Sequence, residues 1–186
     1  MGEKNLRAAD IRREQLRNQF WPEEDPWIGG KNQPGWFQAP RTLPLILELL
    51  RSKKLSGRYD PSSVYLELWA RHIGQGFIEM SHEADHAYAA GYRGTRGTRS
   101  WQERMKVLED NGFIRTKHTG NHRYKYVLLV HPTTAVQRLR EADKVPQDWW
   151  DTYRARQTEI KEPSYEDRQK AKPSPKVMPI KVVKSA

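Results

Sequence analysis

The sequence contains no cysteine and no long apolar run, and each absence excludes a class of protein. Without cysteine there are no disulfides and no thiolate metal sites, which fits a reducing compartment. The longest apolar cluster, Leu43 to Leu50, contains Pro44 and Glu48, so no segment approaches the roughly 18 apolar residues of a membrane span. The N-terminus also lacks the apolar core of a signal peptide. We therefore expect a cytoplasmic protein with no membrane partner.

Signatures of catalysis are also scarce. The sequence has no P-loop and no G-x-S-x-G motif, and Gly94 and Gly97 follow a predicted helix rather than the strand that a dinucleotide-binding turn requires. These absences predict a protein that is not an enzyme and that needs no cofactor.

Positive charge is abundant, and its location is informative. The 186 residues carry a net charge of +10, with a mean hydropathy of −0.95. Residues 91–126 hold nine basic and three acidic side chains, residues 161–186 hold seven and three, and the rest of the chain is balanced. Charge that only improves solubility would be spread more evenly. Clustered charge of one sign is typical of a protein that binds a polyanion.

The chain before residue 81 contains an N-terminal arm and two helices. Residues 4–20 predict a polar helix, and the aromatic, Pro- and Gly-rich stretch up to residue 40 predicts a loop anchored on the domain; base stacking by these aromatics is the alternative. One helix is predicted from Pro44 to just before Gly57, and another from the Asp60-Pro61 cap. A short strand follows at 77–80. The predicted buried positions of the two helices are Leu43, Ile46, Leu47, Leu50, Val64, Tyr65, Leu68, Trp69 and Ile73.

The stretch from Ser81 to Val130 predicts two helices followed by a hairpin. Ser81 is expected to cap the first helix, which turns Ala84, Ala87 and Tyr88 inward. After a Gly/Arg/Thr turn, Ser100-x-x-Glu103 resembles a capping box, so a second helix is expected over about 98–111, with Gly112 ending it. Two strands follow, joined around Gly120-Asn121, and the apolar run 126–130 suggests a strand covered on both faces. The predicted inward residues of the second helix are Trp101, Met105 and Leu108.

This order of elements resembles the winged helix-turn-helix of bacterial transcription regulators and plasmid replication initiators. The resemblance implies a mainly α fold with a small antiparallel β wing, an α+β class. It also implies sequence-specific binding of double-stranded DNA, most simply by a transcriptional regulator at the nucleoid, with a replication or partition factor as the alternative. The recognition helix at about 98–111 would enter the major groove, and the wing at about 113–130 would lie on the backbone. Such proteins commonly dimerise on inverted repeats.

The candidate DNA contacts lie in the turn, on the outward side of the second helix and at the wing. Arg99 could contact guanine, Gln102 adenine and Glu103 cytosine, although the capping role of Glu103 competes. The glycines of the turn would let backbone amides approach a phosphate at the helix N-terminus. The full predicted set is Arg93, Thr95, Arg96, Thr98, Arg99, Ser100, Gln102, Glu103, Lys106, Lys117, His118, His122, Arg123 and Lys125.

The predicted domain organisation follows from these elements. Residues 1–40 form the arm and aromatic loop, 41–131 the winged domain, and 132–161 two helices that pack on it or form a dimer interface. Of the adjacent Trp149 and Trp150, one is expected in the core and the other at an interface. Residues 162–186 are predicted to be a disordered basic tail. The alternation of basic and apolar residues from Lys176 to Lys184 suggests phosphate contacts or a strand added to a protein partner's sheet.

One motif favours a different class of protein. His82-Glu83-Ala84-Asp85-His86 matches H-E-x-x-H, in which two histidines on one helical face bind zinc and the glutamate activates water. Against a zinc hydrolase stand the charged Asp85 between the ligands and the absence of the third histidine of the longer motif. We therefore interpret the segment as the polar outer face of its helix and expect no metal, with zinc hydrolysis as the alternative.

Overall fold

The computed structural model describes residues 11–12, 15–16, 19–20, 37–72, 76–120 and 122–171. The chain divides into two compact units, Met1–Trp36 and Phe37–Ala186. All the described residues of the first unit are helical, in agreement with the polar helix predicted over 4–20. The aromatic loop predicted up to residue 40 falls largely outside the described residues.

The second unit is mainly helical and carries a small three-stranded antiparallel sheet, which agrees with the predicted α+β class. None of the helices in the described ranges is long and apolar enough to cross a membrane. The elements are α1 (Leu43–Arg51), α2 (Lys53–Ser56), α3 (Ser62–Arg71), β1 (Phe77–Glu79), α4 (Glu83–Ala89), α5 (Gly97–Asp110), β2 (Ile114–Thr119), β3 (His122–Leu129), α6 (Pro132–Glu141), α7 (Gln147–Glu159) and α8 (Tyr165–Ala171).

The sheet has the strand order β1-β3-β2, so β3 lies in the centre although it comes last in the chain. Val127 in β3 is the register partner of Ile78 in β1 and of Thr116 in β2. Val127 and Leu129 are buried, whereas Leu128 between them is 45% exposed. The prediction that residues 126–130 are covered on both faces was therefore wrong. An antiparallel sheet with helices on one side leaves its other face to solvent.

The core lies between α3, α5 and the inner face of the sheet. Trp101 and Tyr124 are buried and meet edge to face, with ring centroids 5.4 Å apart. Tyr65 meets Phe113 in the same way at 5.3 Å. The predicted inward residues of α5, Trp101, Met105 and Leu108, are all fully buried, so that prediction is confirmed.

The helix predicted from Pro44 to just before Gly57 is interrupted in the structure. Ser52 adopts an extended backbone, with ψ of 135°, and separates α1 from the short α2. Leu49 is buried, whereas Leu47 is only partly buried. The predicted set of buried positions, which included Leu47 and not Leu49, was therefore wrong here. The helix predicted to start at an Asp60 cap begins at Ser62, with Pro61 rather than Asp60 at its N-cap, although Asp60 Oδ1 does accept a hydrogen bond from the Ser62 amide at 2.8 Å.

The C-terminal helices pack on the same core. Trp149 is buried, stacks on Tyr153 at 5.0 Å and donates from Nε1 to the Leu45 carbonyl at 3.1 Å. Trp150 is only partly buried, with the guanidinium groups of Arg140 and Arg154 within 6 Å of its ring. One tryptophan thus belongs to the core, as predicted.

The segment predicted to be a disordered tail begins with a helix. Ser164 caps α8: its hydroxyl contacts Asp167 Oδ2 at 2.8 Å and accepts from the Asp167 amide at 3.2 Å. This reciprocal arrangement satisfies an amide at the helix start, which explains why a polar segment is helical here. The prediction was therefore wrong for Tyr165–Ala171. Residues 172–186, with the predicted basic and apolar alternation, lie outside the described residues.

Candidate nucleic-acid interface

The turn between α4 and α5 depends on two glycines. Gly91 has a φ of +93°, which favours glycine, and it reverses the chain after α4. A Cβ at Gly97 would lie 2.6 Å from the carbonyl oxygen of Tyr92, closer than van der Waals contact allows. The N-terminus of α5 can therefore begin against the turn only because Gly97 has no side chain.

The capping box predicted at Ser100 and Glu103 was wrong, because α5 begins earlier in the chain. The helix begins at Gly97, so Ser100 lies within its first turn, and Arg96 occupies the N-cap without a side-chain hydrogen bond. The Ser100 amide donates to the Arg96 carbonyl at 2.9 Å. The glycine turn, rather than a serine cap, thus fixes the start of the helix. The Ser81 cap predicted for α4 was also wrong, because His82 occupies that position and has no side-chain cap.

The outward face of α5 is occupied by two ion pairs. Arg99 Nε lies 3.7 Å from Glu103 Oε1, and Lys106 Nζ lies 2.7 Å from Asp110 Oδ2. Both pairs have the i, i+4 spacing that brings side chains together on a helix. The Arg99 side chain is 82% exposed, and such solvated pairs are weak. This face therefore has no net charge, although its cations can change partners at low cost.

Gln102 is held at the side of that face by the neighbouring helix. Its Nε2 donates to Glu83 Oε2 of α4 at 2.6 Å. A carboxylate only accepts hydrogen bonds, so the amide must turn its nitrogen toward Glu83. The side chain is thereby oriented before any ligand arrives.

The turn before α5 carries the more available positive charge. Arg93 lies over the ring of Tyr88, with its guanidinium carbon 4.9 Å from the centroid. Thr95 and Arg96 are exposed and Thr98 is half-buried. Within the described part of the chain, Arg96 has no ion-pair partner. The turn thus presents two guanidinium groups immediately before the helix.

The hairpin of β2 and β3 is tied to α5 through Glu109. Arg123 Nη2 lies 3.8 Å from Glu109 Oε2, and the Thr116 hydroxyl donates to the other oxygen of the same carboxylate. Tyr124 donates to the Gln102 carbonyl at 3.2 Å, and burial raises its pKa to about 12, so its hydroxyl stays protonated near neutral pH. The exposed residues at the end of the hairpin are Lys117, His118 and His122.

Lys125 differs from the other predicted hairpin contacts. Its Nζ pairs with Glu79 of β1 at 2.9 Å and lies 5.8 Å from the centroid of the Tyr126 ring. The structure therefore places this lysine beside β1, whereas Arg123 pairs with α5.

Arg104 is a residue that the sequence prediction missed. Its guanidinium stacks on Tyr92, 4.4 Å from the ring centroid, and donates to the carbonyls of Asp60 at 3.1 Å and Ser100 at 2.7 Å. It thus joins α5 to the turn before it and to the loop before α3. No local pattern reveals this role, because Asp60 is 44 positions away in the sequence.

The H-E-x-x-H segment does not place its histidines on one helical face. His82 precedes α4 with an extended backbone, at φ −139°. His86 is buried, and its Nδ1 lies 3.1 Å from Glu67 Oε1, which also accepts from Arg71 Nε at 2.7 Å. Among the residues that the structure describes, no group of three or more His, Cys, Asp or Glu side chains is placed to hold a metal ion.

The predicted inward and outward sides of α4 were therefore partly wrong. His86 was expected on a polar outer face but is buried, because Glu67 on α3 gives its ring a polar partner inside the protein. Ala87 is buried as predicted, whereas Ala84 and Tyr88 are exposed.

Comparison of the chain with protein-family models, curated proteins and solved structures gives no match.

Proposed function

We propose that the protein binds double-stranded DNA sequence-specifically through a winged helix. One observation carries the proposal: the chain has the element order α3-β1-α4-α5-β2-β3 with the sheet order β1-β3-β2, and the positive excess of residues 91–126 falls on α5 and the β2–β3 hairpin of that unit. In a winged helix, α5 would be the recognition helix and the β2–β3 hairpin the wing. An α-helix with its side chains is about 10–12 Å wide, and the major groove of B-DNA is about 12 Å wide.

Within this class, we propose the role of a transcriptional regulator that acts at the nucleoid as a homodimer. The family resemblance supports this role, and the helices α6 and α7 beside the winged domain are candidates for the dimer contact. A replication or partition factor would use the same interface in another process.

The arrangement of charge divides the contacts into two kinds. Arg93 and Arg96 before α5 and Lys117 at the hairpin are exposed cations suited to phosphates, and the exposed His118 lies beside Lys117 in the sequence. Arg99 and Gln102 are the proposed contacts to base edges, and the Gln102 side chain is already oriented by Glu83. To contact a base, Arg99 would have to break its ion pair with Glu103. Because that pair is exposed to solvent, breaking it costs less than about 1 kcal/mol.

The proposal is tested by selecting bound duplexes from a random pool, followed by titrations across salt concentrations. Arg99→Ala or Gln102→Ala should each cost about 1–3 kcal/mol on the selected site and relax its sequence preference. Lys117→Gln or Arg123→Gln should weaken all duplexes alike and reduce the salt slope by about 0.9 each.

Lys53→Gln on α2 provides a matched control, because Lys53 is exposed and the substitution removes the same charge outside the proposed DNA and dimer interfaces. The proposal fails if the unaltered protein selects no site, or if both kinds of variant bind like the control.

A further inference from the structure

The outer face of the sheet carries aromatic and apolar side chains that are exposed or only partly buried within the described part of the chain. Phe77 in β1 and Leu128 in β3 are register partners, 49% and 45% exposed. The ring of Tyr126 lies beside Phe77, with centroids 5.9 Å apart and planes inclined by only 18°. We name these three residues, Phe77, Tyr126 and Leu128, the outer sheet patch.

Two cations stand in register with the patch on the edge strand β2. Arg115 is the partner of Leu128, and Lys117 is the partner of Tyr126. Both are exposed, and neither has a carboxylate partner among the described residues. On the opposite edge strand, β1, the carboxylate of Glu79 already forms an ion pair with Lys125, whose Nζ lies 2.9 Å from Glu79 Oε1. The sheet thus presents one ring on its central strand, one on the edge strand β1, and available positive charge on the opposite edge strand β2.

This pattern matches the chemistry of an unpaired nucleotide strand. Nucleobases stack on aromatic rings without regard to sequence, while neighbouring cations contact the phosphates. Bases in a duplex are stacked on each other, so only unpaired bases can reach exposed rings. A protein partner would bury the apolar patch equally well, but it would leave Arg115 and Lys117 without a defined role.

We propose that the outer sheet patch binds single-stranded nucleic acid, with bases on Phe77 and Tyr126 and phosphates at Arg115 and Lys117. The aromatic part of the site lies away from α5, because the residues that pack the sheet on the helices, such as Tyr124 and Val127, point to its other side. Lys117, at the hairpin, also belongs to the duplex interface proposed above. The inference does not rest on duplex binding. If both hold, paired and unpaired strands would meet at the hairpin, where Lys117 lies, which would favour the replication alternative.

The test measures fluorescence anisotropy of labelled oligothymidylate and oligouridylate with the full chain. Phe77→Leu and Tyr126→Leu keep the apolar area but remove a ring, and each should weaken binding about fivefold or more. Tyr126→Phe keeps the ring and should bind within about twofold of the unaltered protein. Arg115→Gln should lower the salt slope by about 0.7, the value expected for one phosphate contact on a single strand.

Circular dichroism and urea unfolding check that each variant folds. Duplex binding, measured on the same samples, should be retained by Phe77→Leu, which separates a failure of this site from a failure of the duplex proposal. The inference is overturned if the unaltered protein binds neither oligonucleotide, or if Phe77→Leu binds them as tightly as the unaltered protein does. It is equally overturned if Phe77→Ser leaves oligonucleotide binding intact and instead abolishes self-association in sedimentation velocity.

Discussion

The two long faces of α5 are held by different forces. On the buried face, Trp101, Met105 and Leu108 have no exposed surface. On the outward face, two i, i+4 ion pairs lie in solvent. Burial of a large apolar side chain is worth about 1.5–3 kcal/mol, whereas an exposed i, i+4 pair contributes about 0.3–0.5 kcal/mol. The first face therefore fixes the position of the helix, and the second remains free to exchange partners.

The largest expected effect concerns the buried face. Met105→Ala should lower the free energy of unfolding by about 2–5 kcal/mol, because it leaves a cavity where α5 packs in the core. Urea unfolding followed by tryptophan fluorescence measures this change. Lys106→Ala, the neighbouring residue on the outward face, is the control and should change stability by less than about 0.5 kcal/mol. Similar losses for the two variants would contradict the division of α5 into two faces.

Much of the fold could be predicted because apolar periodicity reports burial directly. The spacing of Trp101, Met105 and Leu108 identified the core side of α5, and Gly112, with φ +76°, marked its end. Predictions failed where a partner distant in the sequence decided the outcome. His86 is buried because Glu67 lies opposite it, and Leu128 is exposed because none of the helices that the structure describes covers that face of the sheet. Neither fact is encoded in the local pattern.

The candidate interface could be located from the sequence, but its internal contacts could not. The charge count placed the positive excess between residues 91 and 126, and exposed Arg93, Arg96 and Lys117 lie there. The count did not show that cations on α5 are paired with acids, or that Arg104 is engaged with Tyr92 and two carbonyls. The composition gives the number of charged side chains. Which of them form ion pairs depends on the face of the helix on which each side chain lies and on the segments that pack against that helix.

An intermediate effect is expected from Glu103. If the outward face of α5 meets DNA, Glu103→Gln removes a negative charge near the phosphates and releases Arg99. Duplex affinity should rise by about 0.5–1 kcal/mol, roughly two- to fivefold, and the gain should shrink as salt increases. Titration of the selected duplex and of an unrelated duplex measures it. Glu48→Gln, at an exposed position on α1, is the matched control. A loss confined to the selected site would instead show that Glu103 reads a base.

The smallest expected effect tests the weakness of the outward pairs themselves. A double-mutant cycle with Arg99→Ala, Glu103→Ala and the double variant isolates their coupling from the helix propensity of each residue. Because Arg99 is largely exposed and the atoms are 3.7 Å apart, the coupling in urea unfolding should be about 0.3–0.5 kcal/mol and should vanish in concentrated salt. The same cycle on Arg71 and Glu67, where the carboxylate is buried and also contacts His86, should give a larger coupling that persists in salt. If the Arg99–Glu103 pair showed a coupling as large as the Arg71–Glu67 pair, Arg99 would be held too firmly by Glu103 to change partners on meeting a base.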